Sequence, residues 1–144
     1  MKSVRTVAYK LPVRLFVSRG EPVPMCVALR YEDDDPYVVR AAFCLPGRGG
    51  TVDGTVEWFL SRDMLNQALR RHIGLGDVRM WPAGGSGRDA VYVSLRAPAG
   101  SALLELPAQG VESFLRDTRS LVPPGAESGR LDLDAELAQL LTDN

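Results

Sequence analysis

The stretch "LRYEDDDPYVVRAAF", residues 29–43, carries the pattern that decides the fold. Apolar and polar residues alternate before and after four consecutive acids, Glu32 to Asp35, and the acids are followed by Pro36. A period of two is typical of half-buried β-strands. Asp next to Pro is typical of a turn, because Asp binds nearby backbone and Pro fixes φ. Since consecutive acids also lack the spacing of a calcium loop, we predict a hairpin turn here and no carboxylate site.

The same alternation extends in both directions from this hairpin. It predicts strands over residues 12–18, 23–31, 37–43, 55–60, 76–82, 90–97 and 101–107. Apolar stripes at helical spacing predict helices over residues 61–74, 108–122 and 132–141. Ser61 is a good N-cap for the first helix, and Gly74 is a good stop signal. The order of elements predicts an α+β fold with antiparallel β-sheets and helices in two related halves, as one domain over residues 1–144.

The composition narrows the function classes. The 144 residues carry a formal net charge of −1, so there is no general attraction to nucleic acid or to an anionic membrane. The two cysteines, Cys26 and Cys44, fit neither a CxxC metal site nor a disulfide scaffold. No apolar run is long enough for a membrane span, and the N-terminus lacks the apolar segment of a signal peptide. We therefore expect a cytoplasmic protein.

None of the chemical motifs is complete. His72 is the one histidine, and it follows Arg70 and Arg71 at a predicted helix end, where a cation is favourable anyway. The string "GGSGR" (84–88) lacks the last glycine of a nucleophile elbow, and "GLGDVR" (74–79) lacks the third glycine of a dinucleotide fingerprint. We predict no catalytic residues, no metal and no cofactor.

Aromatic and arginine side chains on the predicted strands are the remaining candidates: Tyr37, Trp58, Arg79, Trp81, Tyr92 and Arg96. Large aromatic residues are most often core or interface anchors. Aromatic residues beside arginines on a sheet are also typical of single-stranded nucleic-acid binding. Both interpretations remain open on the sequence.

Five longer sequence strings occur in this chain in a fixed order. They are "LRYEDDDPYVVRAAF", "TVEWFLSRDML", "GLGDVRMWP", "ALLELPAQGVESFLRDTRSLVPPG" and "LDLDAELAQLL". In this combination the chain, from about Val13 to Leu141, resembles the SsgA-like sporulation and cell-division proteins of actinomycetes, most closely the SsgB type.

The resemblance implies a non-enzymatic regulator that helps to position the division septum during sporulation by recruiting the tubulin-like protein FtsZ. It further implies a homo-oligomer, a trimer, located at the septum, with a fold like the whirly group of single-stranded nucleic-acid binders.

Two functional hypotheses follow. In the first, an oligomeric scaffold tethers FtsZ or another divisome protein, and its partner or oligomer interface includes Trp58, Trp81, Arg79 and Tyr92. In the alternative, the whirly-like fold binds single-stranded nucleic acid through Arg70, Arg71, Arg79 and Arg96. The net charge of −1 speaks against the alternative.

Overall fold

The computed structural model describes residues 3–16, 21–46, 52–84 and 89–128. This part of the chain forms eight β-strands and two α-helices. In chain order they are β1 (Thr6–Phe16), β2 (Val23–Glu32), β3 (Val38–Pro46), β4 (Val52–Ser61), α1 (Arg62–Gln67), β5 (Ile73–Leu75), β6 (Val78–Ala83), β7 (Ala90–Ala97), β8 (Gly100–Pro107) and α2 (Ala108–Leu121).

All eight strands lie in one antiparallel sheet with the order β4-β3-β2-β1-β8-β7-β6-β5. Neighbouring strands are consecutive in the chain except at the centre, where β1 pairs with β8 from Arg14↔Glu105 to Phe16↔Leu103. This pairing joins the first four strands to the last four. The result is a curved half-barrel sheet with β4 and β5 at its edges.

The predicted α+β fold with two related halves, like that of the whirly proteins, is wrong. The protein is mostly antiparallel strand in a single half-barrel, and α1 has only six residues. The physical reason is the β1–β8 pairing, which satisfies backbone groups that two separate sheets would leave at open edges. One continuous core then forms beneath the whole sheet.

The acidic stretch forms the predicted turn between β2 and β3. Asp35 N donates to Glu32 O (3.1 Å), and Val38 N donates to Asp35 O (3.3 Å). Asp33 is not part of a solvated tip, because it is only 5% exposed and its Oδ1 accepts a hydrogen bond from Arg5 N (3.0 Å). One acid of the run therefore holds the start of the chain against the turn.

The helix predicted at residues 61–74 ends much earlier. Ser61 caps it as expected, since its Oγ accepts from Met64 N at 3.1 Å, but α1 stops at Gln67. Ile73 to Leu75 pair instead with β6 through a two-residue turn at Gly76, whose φ is +59°. Pairing with the sheet satisfies the backbone of these residues and overrides their helical pattern. The helix predicted at 108–122 is confirmed as α2, and the one at 132–141 lies outside the described residues.

Both helices pack on one face of the sheet, which we call the core face. Val111, Phe114 and Leu115 of α2 are fully buried there, and Gly110 lies so close to β1 that a Cβ would be 2.7 Å from Leu11 Cδ2. Phe114 also meets Tyr9 edge-on, with ring centroids 5.5 Å apart. The residues that alternate with the buried ones form the opposite face, which we call the outer face. No helix in the described part of the chain is long and apolar enough to cross a membrane.

A buried arginine ties the two helices together. Arg62, only 4% exposed, donates from Nη1 to Thr118 O (3.2 Å) and Val122 O (2.7 Å) at the end of α2. Its Nη2 lies 2.9 Å from Glu127 Oε2 and forms an ion pair with it, although the geometry is not that of a hydrogen bond. The guanidinium carbon also lies 4.9 Å from the centroid of the Tyr31 ring, which is a cation–π contact. Burial alone would raise the pKa of Glu127, but Arg62 and nearby backbone N–H groups outweigh burial and lower that pKa below its ordinary value.

Candidate functional site

A row of side chains crosses the outer face on four adjacent strands. The register pairs Trp81 of β6 with Tyr92 of β7, Tyr92 with Glu105 of β8, and Glu105 with Arg14 of β1. The next register row, formed by Met80, Val93 and Leu104, is buried on the core face. Because side chains alternate between faces along a strand, the first row points away from both helices.

The aromatic members of this surface contact one another continuously. His72 stacks on Trp81 with ring centroids 5.5 Å apart, Trp81 stacks on Tyr92 at 5.8 Å, and Tyr92 meets Phe16 at 6.0 Å. We call these four residues the aromatic row. Trp81, Tyr92 and Phe16 are half-buried and His72 is exposed. Because stacked and tilted aromatic rings attract one another, each ring supports the position of its neighbour.

Charged groups fix one end of the aromatic row. Tyr92 Oη donates to Glu105 Oε2 at 2.9 Å, and Arg14 Nη1 lies 3.4 Å from Glu105 Oε1. Arg14 also lies over the Phe16 ring, 5.5 Å from its centroid. The hydrogen bond to Glu105, together with burial and the charge of that carboxylate, raises the pKa of Tyr92. The phenol therefore stays protonated at neutral pH and acts as a hydrogen-bond donor.

Two open depressions adjoin the row. One, of about 420 Å³, lies at His72, Trp81 and Pro82. The other, of about 300 Å³, is lined by Pro12, Arg14, Asp89, Ala90, Glu105 and Pro107. Within the described residues no three His, Cys, Asp or Glu side chains are grouped as a metal site. Stacking and charge-assisted hydrogen bonds suit this surface to binding a partner.

The structure brings together three of the four residues predicted for an interface. Arg79 is exposed on β6 and shares the outer face with Trp81 and Tyr92. Trp58 does not join them, because it lies on edge strand β4 and packs against the core from the other face. Tyr37, a further aromatic candidate, is 45% exposed beside the acidic turn.

The four arginines of the nucleic-acid alternative lie toward one end of the sheet. Arg70 and Arg71 follow α1 in an exposed turn, while Arg79 and Arg96 are exposed on β6 and β7. The Arg79 side chain also packs on Gly74, where a Cβ would come within 3.0 Å of its Cγ. This alternative rested on the whirly-like fold, and the single half-barrel removes that support.

Sequence reasoning missed several members of the site. His72 was interpreted as the end of a longer helix, and Phe16, Arg14 and Glu105 were not selected. Arg14 and Phe16 share one face of a predicted strand, which was a usable signal. Their approach to Tyr92 depends on the β1–β8 pairing, which local alternation does not indicate.

Comparison with known proteins assigns the family. The family model of SsgA, described as Streptomyces sporulation and cell division protein, matches residues 25–127. The chain belongs to the SsgA family. The resemblance seen in the sequence strings is thus confirmed.

Relatives match over almost the whole chain. The sporulation-specific cell division protein SsgB of Streptomyces coelicolor is 43% identical over 139 residues, covering 96% of this chain and 98% of the relative. SsgB of Frankia casuarinae is 46% identical over 136 residues, covering 94% and 92%. The protein is therefore a sporulation cell division protein, and its family is not a known enzyme family.

Solved structures agree with this assignment. A structure of SsgB, from work on mutations that correlate with longitudinal cell division during sporulation of Streptomyces coelicolor, superposes with a TM-score of 0.82 at 42% identity over 90% of this chain and 98% of the other. A crystal structure of an SsgA-like sporulation-specific cell division protein from Thermobifida fusca superposes with a TM-score of 0.86 at 36% identity, covering 96% of this chain and 98% of the other.

Proposed function

We propose that this protein is a non-enzymatic scaffold of sporulation-specific division that recruits FtsZ to the septum through the outer face of its sheet. The observation that carries the proposal is the aromatic row, which presents three half-buried rings and one exposed ring on a face that neither described helix covers. Tryptophan, tyrosine and arginine are the residue types enriched among those that dominate the binding energy of interfaces. Arg79 and Arg14 provide that arginine on either side.

Oligomerisation is part of this proposal. A homo-oligomer, a trimer as the family resemblance implies, would present several copies of the row to a polymer of repeating subunits. Linked copies rebind before all of them dissociate, so modest single contacts give strong overall attachment. Edge strand β4 supports self-association, because it is ten residues long and exposes Phe59 (62%) and Val56 (43%).

The test is co-sedimentation of the purified protein with FtsZ polymers, using Trp81→Ala and Tyr92→Ala variants. Each removes a ring from the centre of the row, so we expect the dissociation constant to rise about tenfold or more. Tyr37→Ala is the control, since it removes a 45% exposed aromatic ring beside the acidic turn that belongs neither to the aromatic row nor to β4. The control should bind like the wild type.

Light scattering after size-exclusion chromatography gives the oligomeric state of each variant, so that a loss of avidity is separated from a loss of contact. A single-stranded oligonucleotide is included as competitor. Sedimentation that survives in both row variants would contradict the proposed surface. If the wild-type protein stays in the supernatant and binds the oligonucleotide instead of FtsZ polymers, the proposed scaffold function is contradicted.

A further inference from the structure

The two cysteines, distant in sequence, are opposite each other on the outer face. Cys26 of β2 and Cys44 of β3 are direct register partners in the antiparallel hairpin. Pro12 of β1 flanks Cys26, and Thr55 of β4 flanks Cys44. Both cysteines are free thiols and half-buried, so a small reagent can reach them from solvent.

Their spacing fits a disulfide without backbone movement. Directly opposite residues of an antiparallel pair have Cα atoms about 4.5 or 5.5 Å apart, depending on their place in the hydrogen-bond pattern. Disulfides span Cα distances of about 4.4–6.8 Å, so either class is suitable. The two thiols are near enough for Cys26 to influence the pKa of Cys44.

We propose that Cys26 and Cys44 are an oxidation site at which a two-electron oxidant of the peroxide class forms an intrachain disulfide. One thiolate attacks hydrogen peroxide, breaks the O–O bond and becomes a sulfenic acid, with hydroxide leaving as water after protonation. The second thiol displaces water from the sulfenic sulfur to form the S–S bond. In total, two thiols are oxidised and one peroxide is reduced to two waters.

The surroundings set the rate of the first step. The hydrogen bond with Cys26, then burial and the proximity of Cys26, raise the pKa of Cys44, while Lys10 on β1 lowers it and Thr55 on β4 carries no charge. The Cys44 thiol is therefore mostly protonated at neutral pH. Because the thiolate is the reactive form, oxidation should accelerate as the pH rises above neutrality.

The crosslink would close the hairpin that contains the acidic turn. A closed loop of this size stabilises the folded state by restricting the unfolded chain, so the melting temperature should rise by about 5–10 °C. Dithiothreitol should reverse both the crosslink and the shift. The shift is independent of any FtsZ binding.

The experiment treats the reduced full chain with a small excess of hydrogen peroxide, blocks remaining thiols with iodoacetamide and maps tryptic peptides by mass spectrometry. Trypsin places Cys26 in residues 20–30 and Cys44 in residues 41–48. We expect these peptides joined, at a mass about 2 Da below their sum because two thiol hydrogens are lost. Oxygen added to Met25, which lies in the first peptide, is distinguished by its own mass increase.

Single variants Cys26→Ser and Cys44→Ser are the matched controls, and neither should give a crosslinked monomer. Three results would overturn the proposal: both cysteines still alkylated after peroxide, crosslinks only between chains, or sulfinic acids without the joined peptide. A joined peptide in the wild type, absent from both variants and reversed by dithiothreitol, supports it.

Discussion

Replacement of Arg62 by alanine is the most direct test of how the helices are held on the sheet. The side chain binds two carbonyl groups at the end of α2, at 3.2 and 2.7 Å, and forms an ion pair with Glu127. Alanine would leave both carbonyls and the carboxylate without this cation. Breaking a buried charged network by removing one partner costs about 3–5 kcal/mol. Since a domain has only about 5–15 kcal/mol of stability, the effect should be large.

The assay is urea unfolding, monitored by circular dichroism. At about 3 °C per kcal/mol for a chain of this size, the melting temperature should also fall by roughly 10–15 °C. Arg62→Lys should give a smaller loss, because lysine keeps the charge but cannot direct a planar fork at separate acceptors. The carbonyls of Thr118 and Val122 and the carboxylate of Glu127 need such a fork.

Arg119→Ala is the matched control. Arg119 of α2 also reaches α1, because it donates to Asn66 Oδ1 at 3.1 Å. It forms a second pair with Glu112 of its own helix at 2.8 Å, and its side chain is 30% exposed. Exposed pairs contribute about 0–1 kcal/mol. If Arg62→Ala and Arg119→Ala destabilise the protein equally, burial does not make Arg62 special and the reasoning is refuted.

Two further predictions concern the same helices. The folded-state pKa of Glu127 is lowered, so the carboxylate contributes to the free energy of unfolding above the ordinary pKa of 4.5, and this contribution is lost as the pH falls through the lower folded value. The difference in stability between wild type and Glu127→Gln, measured by urea unfolding, should therefore narrow below about pH 4. A difference that widens there would contradict this prediction. Gly110→Ala should destabilise the protein by about 1 kcal/mol, because the new Cβ would lie 2.7 Å from the buried Leu11 Cδ2. This overpacking outweighs the higher helix propensity of alanine. A variant that is more stable than the wild type in thermal melts would show that Leu11 moves freely.

The sequence predicted most strands because alternation between buried and exposed residues is written locally. It predicted the acidic turn at residues 32–36 for the same reason. Three features depended on which strands pair and in which register, and these were missed or wrong. The pairing of β1 with β8 decides between one sheet and two halves, the pairing of Ile73 with Met80 ends the helical pattern early, and the pairing of Cys26 with Cys44 creates a dithiol. Trp81 and Tyr92 were among the predicted interface residues, but their stacking on each other follows from the strand order, which the sequence did not indicate.

The alternation that builds the sheet also separates binding from stability at the site. Trp81 and Tyr92 are next in sequence to the buried residues Met80 and Val93, yet they lie on the opposite face. Substitutions in the aromatic row therefore leave the core intact, and a loss of FtsZ binding there would report on the surface itself. Trp58 offers no such separation, because its ring packs against the core and its loss would disturb both. Of the predicted interface residues, those on β6 and β7 can decide the proposed function, and Trp58 cannot.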